Sequence, residues 1–141
     1  MSQQGPIIVI DDDTEDLELI KAAFNTLNLK NDMLLFDDAN KFLDFLQATE
    51  TQPFFILCDV NMDQMNGFEL QERIFNDERL RVKSIPFLFL STSSSIRGIQ
   101  KAYSLSVQGY FKKADGFHEI ISMLKRIIEY WEYCLHPNSG N

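Results

Sequence analysis

The sequence predicts an α/β fold built on a doubly wound, mostly parallel sheet of five strands. Two observations carry this. Five short apolar runs alternate with longer segments of helical period, the pattern of consecutive strand–helix units. Three of those runs, the second to the fourth, are apolar at nearly every position rather than at alternate ones, as strands covered on both faces are.

The first run, IIVI at residues 7–10, is followed by a stripe of Leu17, Ile20, Phe24 and Leu27, with Asp13 or Thr14 available as helix N-cap. The second run, residues 33–36, precedes a helix with Phe42, Leu43, Phe45 and Leu46 on its core face and Asp38 as its cap. The third, residues 54–58, leads to a helix opening after Gly67, with Phe68, Leu70, Ile74 and Phe75. The fourth, residues 87–90, precedes the least amphipathic helix, at 95–104. The fifth and weakest, residues 107–111, is followed by a long helix whose stripe runs from Phe117 through Ile120, Ile121, Leu124, Ile127 and Ile128 to Trp131, ending near Leu135 before Pro137.

A chain of 141 residues, 45% hydrophobic and 24% charged, is one globular domain able to bury a core without disulfides. We expect one domain over 1–141, with its core at about 6–131 and a frayed tail at 136–141. The net charge is −8, and no run of Lys or Arg forms the basic stripe that direct nucleic-acid binding needs. Cys58 and Cys134 lie far apart and fit no metal-ligand spacing, so both are expected as reduced thiols. No cationic start followed by an apolar run suggests a signal peptide, and no apolar stretch reaches the ~20 residues of a membrane span. A cytoplasmic location and no membrane partner are expected.

Chemistry gathers at four strand ends. Asp11, Asp12 and Asp13 follow the first run, Asp59 the third, Ser91 and Thr92 the fourth, and Lys112 and Lys113 the fifth. In open parallel sheets, ligands bind beyond the carboxyl ends of the strands, so all four clusters fall along one edge. Carboxylates suit a hard divalent cation such as Mg²⁺, and a carboxylate is also a competent phosphoryl acceptor. A lysine ammonium and a serine hydroxyl suit the oxygens of that group. Taken singly, each has a plainer reading: a helix cap for the aspartates, a turn for Asp59, a polar loop for Ser91 and a solvated charge for Lys113. Four complementary residue types at four strand ends favour the functional one.

Over roughly residues 6–131 the chain resembles the receiver domain of two-component response regulators. IIVIDDD at 7–13 resembles the family's first strand and acidic pair, matched by Asp11 and Asp12; ILCDVNMDQMNGFEL at 56–70 resembles the phosphoacceptor segment; FLFLS at 87–91 ends in the hydroxyl residue, Ser91; and GYFKK at 109–113 selects Lys113 over Lys112. The resemblance implies a CheY-like sheet of order 2-1-3-4-5. It also implies a phosphoryl group accepted on Asp59 from a histidine kinase or phosphotransfer protein. Mg²⁺, or Mn²⁺ in its place, would be held by Asp12, Asp59 and the backbone carbonyl of Asn61, with Asp11 acting through water. Lys113 and Ser91 would contact phosphoryl oxygens, and Ser91 and Tyr110 would form the switch. The chain departs from the family twice, with Met62-Asp63-Gln64 where proline usually follows the phosphoacceptor, and Ala114 where proline usually follows the lysine.

The longer charged segment at 76–86 and the serines at 91–93 resemble stand-alone receivers associated with phytochrome-type kinases. Readout would then pass through another protein, a second copy in a homodimer, or onward phosphotransfer; Tyr130, Trp131 and Tyr133 offer either an interface or closure of the core. The competing readings are a pseudo-receiver that binds partners without being phosphorylated, and a small enzyme. Three aspartates after the first strand would repel the phosphate of a flavodoxin-like cofactor. No lid domain accompanies the DxD that an aspartate phosphatase would use.

Overall fold

The computed structural model describes residues 5–84 and 86–135, so the expected tail at 136–141, with the stop at Pro137, and residues 1–4 lie outside the described residues. The elements run β1 (Ile7–Ile10), α1 (Thr14–Asn25), β2 (Met33–Phe36), α2 (Ala39–Ala48), β3 (Phe55–Asp59), α3 (Gly67–Phe75), α4 (Glu78–Lys83), β4 (Phe87–Ser91), α5 (Ile96–Ser104), β5 (Gly109–Lys112) and α6 (Phe117–Tyr133). The sheet is parallel throughout, in the order β2-β1-β3-β4-β5, as the resemblance implies.

Side chains along a strand alternate between faces, and both faces are covered. Val9, Leu57 and Leu90 pack with Leu17, Ile20 and Phe24 of α1 and Leu124 and Ile128 of α6. Ile8, Ile56 and Phe89 pack with Phe42 and Leu46 of α2, Leu70 and Ile74 of α3 and Ala102 of α5. This is why β3 and β4 read as unbroken apolar runs: all their residues are buried, as are those of β1. Each such side chain contributes about 1.5–3 kcal/mol relative to exposure.

β2 differs from expectation. It is apolar throughout, yet Leu35 is 37% exposed, because the strand ends the sheet and has a neighbour only in β1. At the other edge, β5 is half-buried in the same way.

The helix starts follow their caps. The Asp13 carboxylate accepts from the amides of Glu15 and Asp16, and Asp38 caps α2 likewise. Asn66 and Glu69 form a reciprocal capping box at α3, and the Ser95 hydroxyl accepts from Gly98 at α5. Trp131 packs half-buried against the core, while Tyr130 and Tyr133 are 62% and 92% exposed beside it.

The sequence did not suggest α4. Asp77 caps this helix of 6 residues and Leu80 anchors it in the core. Its cations close the end of α2: the Lys83 ammonium donates to the carbonyls of Leu46 at 2.6 Å and Thr49 at 3.0 Å, and Arg79 donates to that of Gln47 at 2.9 Å. Carbonyls at a helix C-terminus lack intrahelical partners and favour positive charge.

Candidate functional site

The site is built where β1, β3, β4 and β5 end. Past β1, the amide of Asp11 donates to Phe36 at 3.0 Å, keeping the chain extended for one more residue. Past β3, the Val60 amide donates to Leu90, and Gly67, returning to begin α3, donates to Val60 at 2.9 Å. A Cβ at Gly67 would stand 2.6 Å from the Asp59 carbonyl oxygen and 3.0 Å from the Val60 Cα. Only glycine lets the helix pass this close to the strand end. The sequence shows the glycine but not this reason for it.

Asp11, Asp12 and Asp59 each place a carboxylate oxygen within 4.8 Å of the others. Asp11 and Asp59 are buried, at 1% and 5% exposure. Asp12 is anchored by the amide of Asp63, which donates to its Oδ2 at 2.8 Å. Residue 63 lies where the resemblance predicts proline, and proline has no amide hydrogen to give. Asp13 is separate, an exposed cap on α1. The backbone amide of Asn61 faces the Asp59 carboxylate and favours its charged form.

Lys113, half-buried, turns inward, while Lys112 is exposed. The Lys113 amide donates to the Ser91 carbonyl at 2.8 Å, extending the β4–β5 ladder by one residue. Its ammonium lies 2.8 Å from Asp16 Oδ2, 2.9 Å from Asp11 Oδ2 and 3.5 Å from Asp59 Oδ1. Burial works against that ammonium, but hydrogen bonds to Asp16 and Asp11 and the charges of Asp11 and Asp59 outweigh it, and its pKa is raised. Burial, then the charge of Asp11, pushes Asp59 up to about 6, against the opposing pull of Lys113. Burial likewise raises Asp11, with Lys113 opposing.

Asp16 is the member of this group that sequence reasoning missed. It stands in the first turn of α1, where an acidic residue reads as a complement to the helix dipole. Nothing local signals a lysine 97 positions away.

Ser91 is fully buried at the end of β4, and its hydroxyl accepts from the Ser93 amide at 3.1 Å. The Tyr110 hydroxyl donates to the Ser93 carbonyl at 3.1 Å. Ser93 thus touches both residues named for the switch.

Three carboxylates against one nearby ammonium leave an excess of negative charge on hard oxygen donors. That donor set suits a divalent cation such as Mg²⁺, which is typically held by one or two carboxylates with water and phosphate oxygens. Asp59 is the member of this cluster that ends β3, with the Lys113 ammonium 3.5 Å from its Oδ1. The arrangement suits attack on an electrophilic phosphorus.

A response regulator receiver domain is the family whose model matches residues 7–125. The chain belongs to that family. It is 30% identical over 129 residues to the probable methanogenesis regulatory protein FilR2 of Methanothrix harundinacea, covering 89% of this chain and 82% of that one. It is 25% identical over 130 residues to the response regulator Rcp1 of Synechocystis, covering 89% and 87%. The Mn²⁺-bound structure of Rcp1 superposes with a TM-score of 0.79 at 25% identity, covering 94% of this chain and 98% of that one. The phosphorylated cyanobacterial phytochrome response regulator RcpA superposes with a TM-score of 0.80 at 26% identity, covering 91% and 94%. The likeness to phytochrome-associated regulators expected from the sequence is therefore present.

Proposed function

We propose that this chain is a response regulator whose receiver domain accepts a phosphoryl group on Asp59 from a histidine kinase or phosphotransfer protein. The observation that carries the reading is the convergence, at one sheet edge, of the buried Asp59 with Asp11, Asp12 and the Lys113 ammonium. An oxygen of Asp59 attacks phosphorus as the bond from phosphorus to the donor imidazole nitrogen breaks, its electron pair staying on that nitrogen. Lys113 keeps its proton and balances charge on the phosphoryl oxygens. Ser91 supplies a hydroxyl to the same group, giving up its bond from Ser93. Because Tyr110 is bonded to Ser93, that movement reaches the surface at β5, where Tyr110 reports it.

Asp12, Asp59 and the Asn61 carbonyl would hold Mg²⁺ or Mn²⁺, with Asp11 acting through water. When bound, the ion supplies positive charge that relieves repulsion between the carboxylate and the incoming group. The phosphorylated and Mn²⁺-bound states of RcpA and Rcp1 support the reading by likeness. Output passes through protein contacts in the cytoplasm, including contact with a second copy through the exposed Tyr130 and Tyr133, and not through nucleic acid or membrane. Among the described residues no helix is long and apolar enough to cross a membrane.

The test is intact mass after incubation with Mg²⁺ and acetyl phosphate, beside an Asp59→Asn variant. A phosphate adduct on the wild type alone is expected. Its absence where another receiver is labelled would put the pseudo-receiver reading in its place.

A further inference from the structure

Lys113 contacts its three carboxylates unequally, nearer to Asp16 and Asp11, at 2.8 Å and 2.9 Å, than to Asp59, at 3.5 Å. Asp16 stands on α1, outside the cluster formed by Asp11, Asp12 and Asp59. The cap at Asp13 fixes the first helical turn and so aims Asp16 across at the end of β5. The pair is partly shielded, with side-chain exposures of 18% for Lys113 and 35% for Asp16, which sets it apart from the exposed pairs that contribute little. A cation at the cluster draws on Asp11 and Asp59 but does not compete for Asp16. Asp16, Lys113 and Ala114 also line a cavity of about 30 Å³ between α1 and α6.

Resting on the function given above, we propose that Asp16 is a positioning residue that holds the Lys113 ammonium on the α1 side of the site, so that Asp16 and an incoming phosphoryl oxygen compete for it. In the reaction with acetyl phosphate, the Asp59 oxygen bonds to phosphorus and acetate departs with the electron pair of the broken P–O bond. Lys113 gains and loses no proton; it exchanges one anionic acceptor for another. Asp16 thereby weakens the site's hold on the phosphoryl group.

The experiment titrates beryllofluoride, a phosphoryl mimic on carboxylates, at saturating Mg²⁺, read by NMR on the whole chain. Asp16→Ala is expected to bind it about 3–10-fold tighter than wild type, since a charge-assisted competitor is gone. Asp16→Glu restores the carboxylate and is expected near wild type. Glu15→Gln removes the same charge from an exposed neighbour that does not touch Lys113, and is also expected near wild type. Without metal, the Lys113 Nζ resonance shifts in Asp16→Ala and stays in place in Glu15→Gln. Asp16→Asn, which keeps the shape, is expected to change affinity in the same direction and serves if Asp16→Ala fails to fold. Unchanged or weaker binding in Asp16→Ala and Asp16→Asn, or an equal gain in Glu15→Gln, overturns the tether alone. A wild type that neither binds beryllofluoride nor takes phosphate on Asp59 overturns the functional reading and the tether together.

Discussion

Burial first, and the charge of Asp11 second, hold the Asp59 carboxyl up to about 6 against an ordinary 3.8. The folded protein thus binds that proton more tightly than the unfolded chain. Asp59's contribution to stability is complete below about pH 4 and is lost as pH rises through about 6. Asp59→Asn is expected to stabilise the metal-free protein at pH 7.5 by roughly 1–3 kcal/mol and to flatten the decline from pH 4 to 6. Urea unfolding in chelator across that range checks it; equal midpoints at pH 7.5 would remove the buried-charge account. Gly67 acts through space rather than charge. Gly67→Ala must displace the Asp59 carbonyl or α3, and about 2–3 kcal/mol of stability should be lost, read from the urea midpoint. Asp59, Asp11, Asp12 and Lys113 were legible because each ends a recognisable strand. Asp16 was not, because its partner is distant in sequence, and neither was the Asp63 amide, because its part depends on a hydrogen bond rather than on its side chain.

At the scale of elements, legibility followed periodicity and caps. Asp13 and Asp38 mark the starts of α1 and α2 because the capping carboxylate and the first turn are adjacent in sequence. By contrast α4, at 6 residues, is too short for an apolar stripe to repeat, and its stabilising contacts are with another helix. The edge status of β2 was hidden for a related reason: exposure there depends on sheet order, not on the strand's own composition. Lys83→Met keeps most of the packing volume but leaves the Leu46 and Thr49 carbonyls without that donor. A loss of about 1–3 kcal/mol is expected, with earlier protease cleavage between α3 and β4. If cleavage is unchanged while global stability falls, α4 is not held locally by this lysine.

Across the whole molecule, the sheet order places β1 and β3 side by side at its centre, and with them the acidic cluster. Both strands are buried at every position, so the cluster rests on fully packed backbone, and Ser91 and Tyr110 lie toward the β5 edge. Concentrated negative charge opposes folding until a cation joins it. Mg²⁺ is therefore expected to raise the melting temperature, by the equivalent of about 2.7 kcal/mol at a hundredfold excess over its dissociation constant. The gain should shrink in Asp12→Asn and vanish with chelator. Equal shifts in wild type and Asp12→Asn would locate the ion elsewhere.

The burial of Lys83, 8% exposed and with its ammonium donating to two carbonyls, has a practical consequence. Amine-reactive reagents that acylate the surface lysines will pass it over while α4 stays seated. Its acylation, read peptide by peptide, therefore serves as a clock for α4 lifting away from α2. Run with and without phosphate on Asp59, that clock would tell whether the far side of the domain feels the modification.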